Sequence, residues 1–438
     1  MSVTREYKAP SDFNASQARS TRGVLRSATP RERRNFLWLG LTGLIRQADV
    51  PLFTGTELQA FQVRVGMSNT QIGTVGLVSS LMMAVSMFLT TGLSDRLRRP
   101  IRALTWLTAL MAIFPIGMVG LCLLGPANLT PSVVFPSIIS LTIVEASIIG
   151  LLGMVQATVF VRCIGPAMMP RFFTFIGFAG SAVGMGLGVA AALALRWLSF
   201  PLGFLMAFAV AMVLLFVAAF CASRAREVPE LRCEPLEGSA SPFSTFGRVI
   251  RMREFLLLAP PNILRGLGDG AVVLALAVGM RRLNLPVEYG GWTTAINYAA
   301  IFLGTLTMGF AVERFGSGRV LFAASLTVAA GLLGVVLAPS PILFLIAFWV
   351  MSFGAQIEGY TVPLAHYDIV PAAAIGAFTG VRLMILSGVS AIAAISVGYL
   401  LDRVSPLHVF IACATIKVFA GMLFWRAFHI ARKNDNPA

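Results

Sequence analysis

Lysine is nearly missing from this chain: Lys8, Lys417 and Lys433 are the only ones, and all other basic charge is arginine. Charge of either sign is scarce, at 12% of residues, against roughly 25% in an ordinary soluble domain. With 57% hydrophobic residues, such a chain cannot clothe a surface that faces water, so much of its solvent is lipid. Alternating polar and apolar stretches of about ten residues are also missing, which excludes a membrane β-barrel. The five cysteines are scattered with no CxxC pair, and the three histidines have no metal-ligand spacing. No lysine follows a glycine, so there is no phosphate-binding Walker loop and no nucleotide motor within the chain. Neither H-E-x-x-H nor G-x-S-x-G occurs, so a membrane-embedded enzyme has no catalytic constellation to rest on. No apolar stretch precedes Asn35, which argues against a secretory signal.

What is present is a series of long apolar runs. Twelve lie near 35–62, 71–91, 102–124, 134–161, 172–195 and 201–222, then 255–280, 290–311, 320–338, 342–366, 375–400 and 406–428. Each is long enough to cross about 30 Å of hydrocarbon as a helix. The expected fold is all-α, with twelve transmembrane helices in two pseudo-symmetric six-helix bundles. The expected organisation is a basic tail over 1–34, a first bundle over 35–222, a polar linker over 223–254, a second bundle over 255–428 and a tail over 429–438. The net charge of +15 has a topological cause rather than a nucleic-acid one. Arginines crowd the N-terminal tail, the linker and the loops on their side of the membrane, whereas the opposite side has only Arg64, Arg196, Arg281, Arg282 and Arg403. Positive charge stays inside, so both termini are expected in the cytoplasm, with the chain in the plasma membrane (the inner membrane, if bacterial).

The loop after the second run reads Thr91-Gly92-Leu93-Ser94-Asp95-Arg96-Leu97-Arg98-Arg99. It resembles the G-x-L-a-D-R-x-G-R-K signature of the major facilitator superfamily. The equivalent loop of the second half, Gly309 to Arg319 through Glu313 and Arg314, resembles it too, as a duplicated carrier would. Gly66-Met67-Ser68-Asn69-Thr70-Gln71-Ile72-Gly73 and Gly398-Tyr399-Leu400-Leu401-Asp402-Arg403 are similar to further segments of that family. The resemblance covers about 35–430 and implies a secondary carrier that acts as a monomer without a cofactor. It also implies that Asp95, Arg96, Arg99, Glu313, Arg314 and Arg319 close the cytoplasmic gate. Thr91 and Arg98 stand where the signature has glycines, which loosens the expected packing of the first-half gate. The glycines of the fifth run lack the glycine-proline pair of drug antiporters and are expected to pack helices.

Ionisable residues inside spans are costly and mark pathways or coupling sites. Arg46 and Asp49 in the first run, and Arg265 and Asp269 in the seventh, lie about three turns in, roughly 15 Å deep. Each pair shares a helix face, so each aspartate either neutralises its own arginine or joins a substrate site. Two midplane arginines favour an anionic or zwitterionic solute. Asn297, Tyr298 and Gln356 are expected to line the path. Glu145 and Glu358 are candidates for coupling to protons, or fixed partners of a cavity arginine such as Arg382. Glu57, near the outer end of the first run, is expected to see water. The alternatives are an efflux antiporter of amphipathic or cationic compounds and a sensor on a carrier fold.

Overall fold

The computed structural model describes residues 29–90, 97, 99–164, 168–228, 242–367, 370 and 375–435. Among them, eleven helices are long and apolar enough to cross a membrane. Span 1 is the less apolar twelfth, made of Pro30–Thr54 and Thr56–Val65 with a break at Gly55. Spans 2 to 6 are Asn69–Thr90, Pro100–Leu110 with Ile113–Leu123, Pro131–Cys163, Met169–Trp197 and Leu202–Ser223. A short helix, Pro242–Val249, lies in the linker. Spans 7 to 12 are Arg253–Leu283, Tyr289–Phe315, Ser317–Leu337, Pro341–Tyr367, Ile375–Leu401 and Pro406–Asp435.

Local chemistry sets the ends of these helices. Thr29 and Glu32 form a reciprocal capping box with Pro30 in the first turn, so span 1 starts inside the polar tail. Gly66, at φ +88°, takes the left-handed conformation that ends span 1 and turns the chain into span 2. Prolines stand inside span 4 (Pro136), span 7 (Pro260 and Pro261) and span 10 (Pro363), where each removes a backbone hydrogen bond.

Spans 1 to 6 pack as one bundle and spans 7 to 12 as another, joined along span 2 against span 11 and span 5 against span 8. One end of the molecule holds the linker; the other is called the far end below. The far end is shut. A Cβ on Gly73 would lie 2.4 Å from the Ala394 carbonyl oxygen, and one on Gly398 would lie 2.4 Å from that of Asn69. Spans 2 and 11 therefore touch backbone to backbone, which only glycine allows. Asp402, just past span 11, accepts from the Asn69 and Thr70 amides at 3.0 and 2.8 Å and from the Thr70 hydroxyl at 2.6 Å. It thus caps the N-terminus of a helix in the other half. Burial alone would raise its carboxyl, but these bonds outweigh it and hold it below the ordinary aspartate value. Arg281 of span 7 bonds Asn69 and the Met67 carbonyl. Every described hydrogen bond between the halves lies at the far end or in mid-span. Beside the linker end of span 5 an open cavity of about 370 Å³ is lined by Arg171, Thr174, Phe175 and Phe178.

Candidate functional site

The second half buries a charge network that begins on span 7. Arg265 Nε donates to Glu358 Oε2 at 3.1 Å and lies 4.0 Å from Asp269. Lys417, on span 12, donates to the same Glu358 oxygen at 2.8 Å and reaches Asp269 Oδ1 at 2.6 Å. Ser325 of span 9 donates to the other Glu358 oxygen at 2.6 Å. Three spans thus converge on Glu358 of span 10, which is fully buried and has two cations and a hydroxyl. Lys417 has no exposed surface at all. Arg265 and Asp269 keep 12% and 24% exposure, so the network is not sealed on their side.

The first half repeats this device with different chemistry. Arg46 of span 1 donates to Gln156 Oε1 of span 4 at 2.5 Å. Spans 1 and 4 correspond to spans 7 and 10, so Gln156 stands in relation to Arg46 as Glu358 does to Arg265. Glu145, elsewhere on span 4, is buried with no hydrogen bond or ion pair among the described residues, and its Oε1 is unmet. Span 4 packs chiefly on spans 2 and 3 of its own bundle. The Asp49 side chain lies outside the described residues, as do Asp95 and Arg96.

Several expectations change. Glu358 is held by Arg265 and Lys417 rather than by Arg382, because spans 7, 10 and 12 converge on it. Arg382 is 6% exposed, and its Nε has no partner. Glu57 does not see water: its exposure is 0%. The break at Gly55 starts a new helix whose first turn packs on span 8, where Thr294 donates to Glu57 Oε2 at 2.7 Å. Tyr298 is buried and donates to the Gln47 carbonyl, and its ring lies against Gly184 of span 5. Gly188 approaches Ala295 in the same seam, so these span 5 glycines serve helix packing. Asn297 and Gln356 are half-buried; Gln356 lies beside Gly304. Arg99, Glu313, Arg314 and Arg319 are exposed, and Arg314 lies over the Phe310 and Phe315 rings.

Sequence reasoning missed Lys417, Ser325 and Gln156 as partners. Lys417 carried a usable signal, because it is the only lysine within an apolar run. Ser325 and Gln156 carried none, since neutral polar residues are common in spans.

No protein-family model matches the chain, and no curated protein matches it. Solved structures do match. A mutant of the nucleoside transporter NupG aligns with a TM-score of 0.72 and 13% identity, over 90% of this chain and 99% of that one. The xylose transporter XylE from E. coli, in a partially occluded inward-open conformation, gives 0.68 and 14%, over 91% and 98%. A bacterial homologue of the iron transporter ferroportin, in an inward-facing state, gives 0.62 and 17%, over 93% and 98%. At these identities the likeness is one of fold: the chain is a multi-pass, all-α membrane protein with the major facilitator fold.

Proposed function

We propose that this chain, having that fold, is a secondary transporter. It moves a small organic solute with an anionic or zwitterionic group, exposing a site between the two bundles to each membrane face in turn. The observation that carries this reading is the charged network of Arg265, Asp269, Glu358 and Lys417, buried in mid-span with Arg265 and Asp269 left partly exposed. A purely structural role would be filled as well by apolar side chains, since buried ion pairs are often no more stable than their apolar replacements. Arg46, Asp49, Asn297 and Gln356 complete the proposed path, with Tyr298 packed behind it in the seam of spans 5 and 8. The positive-inside pattern makes the linker end cytoplasmic, so the described state is closed outside. In the opposite state, Asp95, Arg96 and Arg99 meet Glu313, Arg314 and Arg319 to close the cytoplasmic end.

Coupling to protons falls to Glu145 rather than Glu358. A carboxyl without a countercharge gains and loses a proton without breaking an ion pair, whereas Glu358 has two cations to part with. The test is uptake by purified protein in proteoliposomes, with and without an imposed proton gradient. Saturable movement of an organic acid or zwitterion, driven by the gradient, supports the reading. Binding without movement in either direction would favour a sensor and overturn it.

A further inference from the structure

The network on span 7 offers a ligand only two of its four charges. Lys417 has no exposed surface and Glu358 has 1%, so Arg265 and Asp269 are the members left within reach. They stand one helical turn apart on one face of span 7. Val273, one turn further along that face, comes within 3.9 Å of the Cβ position of Gly76 in span 2, so the face is turned toward the first half. Each of the two side chains is held by one edge. Arg265 donates through Nε to Glu358, and its Nη1 and Nη2 make no hydrogen bond among the described residues. Asp269 meets Lys417 through Oδ1, and its Oδ2 makes none either. None of these three free atoms is enclosed by protein. A planar donor fork and a carboxylate oxygen are thus left open side by side, with Oδ2 standing 4.0 Å from Arg265 Nε. That gap is too wide for a hydrogen bond and narrow enough for one small molecule to touch both groups. The fork suits a carboxylate, and the oxygen suits an ammonium group. A simple acid would set its charge beside that of Asp269, and a simple amine would set its charge beside that of Arg265.

We propose that the free edges of Arg265 and Asp269 form a subsite for a zwitterion with adjacent charges, the head of an α-amino acid. Nη1 and Nη2 of Arg265 hold its carboxylate, and Oδ2 of Asp269 accepts from its ammonium group. This rests on the transporter reading and narrows the solute from anions and zwitterions at large to that one class. Glu358 and Lys417 do not touch the solute. They occupy Nε and Oδ1, which keeps an arginine and an aspartate four residues apart from closing on each other.

The experiment measures ligand affinity on the full-length protein in detergent. Glycine is compared with acetate and methylamine, and leucine with 4-methylpentanoate and 3-methylbutylamine. At least one of the two zwitterions should bind about tenfold or more tightly than both of its single-charge counterparts, since each counterpart loses a charge-assisted contact and gains a like charge. The compound 6-aminohexanoate, whose charges lie at opposite ends of a long chain, should bind no better than acetate. No binding by either zwitterion, binding no tighter than that of the matching acid, or tight binding of 6-aminohexanoate would each overturn the subsite. Asp269→Asn should weaken the zwitterion to the level of the acid while the acid itself binds as well as before or better, because the like charge is gone. That crossover is a change a merely unstable variant would not show, and parallel losses for acid and zwitterion would overturn the pairing. Movement across proteoliposomes separates the two readings. A simple acid carried by the wild type as fast as any zwitterion would overturn the subsite and leave the transporter standing. The Asp269→Asn crossover in binding, without movement of any bound zwitterion, would support the subsite and sink the transporter.

Discussion

The two halves meet the same problem, an arginine in the membrane, with acceptors of different charge. In the first half Arg46 is met by the neutral amide of Gln156; in the second Arg265 is met by the carboxylate of Glu358. The neutral acceptor adds no charge. The carboxylate does, and with Asp269 it makes two negative charges in the space of one arginine, which Lys417 then balances. Span 6, the counterpart of span 12, has no lysine. The lesson is that duplicated positions do not imply duplicated roles. One change of acceptor, from amide to carboxylate, obliges a second change two spans later.

Lys417 gives the sharpest way to break the contrast. Lys417→Met leaves Glu358 and Asp269 short of a buried cation and should cost about 3–5 kcal/mol, read as thermal or denaturant stability in detergent. Adding Glu358→Gln should recover a large part of that loss, because the amide makes the second half resemble the first. Two additive losses would refute the idea that Lys417 exists to balance the carboxylate.

Next in size is the contrast between the glutamates. Glu358→Gln alone removes the charge from contacts with three other spans and should cost about 1–3 kcal/mol. Glu145→Gln removes a carboxyl with no partner and should change stability by no more than about 0.5 kcal/mol, or raise it. In proteoliposomes, Glu145→Gln should keep solute exchange yet lose gradient-driven accumulation. Accumulation at the wild-type level would take the coupling role from Glu145.

The smallest effect belongs to the seam, where the second half supplies a cap that the first half lacks. Asp402→Asn should weaken the far-end clasp by about 1 kcal/mol, raising a far-side accessibility signal a few-fold without unfolding the protein. Its carboxyl sits below the ordinary aspartate value when the clasp is made, so the clasp is complete at and above that value. It is lost as the pH falls through the lowered value, and far-side labelling of a cysteine placed at Ala394, which is buried in the same seam, should rise only there. A rise that begins near neutral pH would assign the response to another group.

Much of the architecture was legible because it depends on local sequence. A run of about twenty apolar residues forms a helix in lipid whatever its neighbours, and the two similar loops exposed the duplication. The helix pairs of the site were only half legible. Arg46 and Arg265 stood out as charges in apolar runs, but reading each with the aspartate on its own helix overlooked the stronger partner three spans on. Glu57 shows the same limit. Its position near a span end suggested water, and the seam with span 8 removes it.

By itself, then, the sequence determined an all-helical chain in two related bundles, with a handful of charges placed where lipid makes them costly. Tertiary structure decided how each was met: Gln156 for Arg46, Lys417 and Ser325 for Glu358, Thr294 for Glu57, and no described partner for the Arg382 Nε or for Glu145. The reason is physical. A helix is specified by bonds between residues four apart, whereas a buried charge is satisfied by whichever helix packing brings within 3 Å, often a hundred residues away.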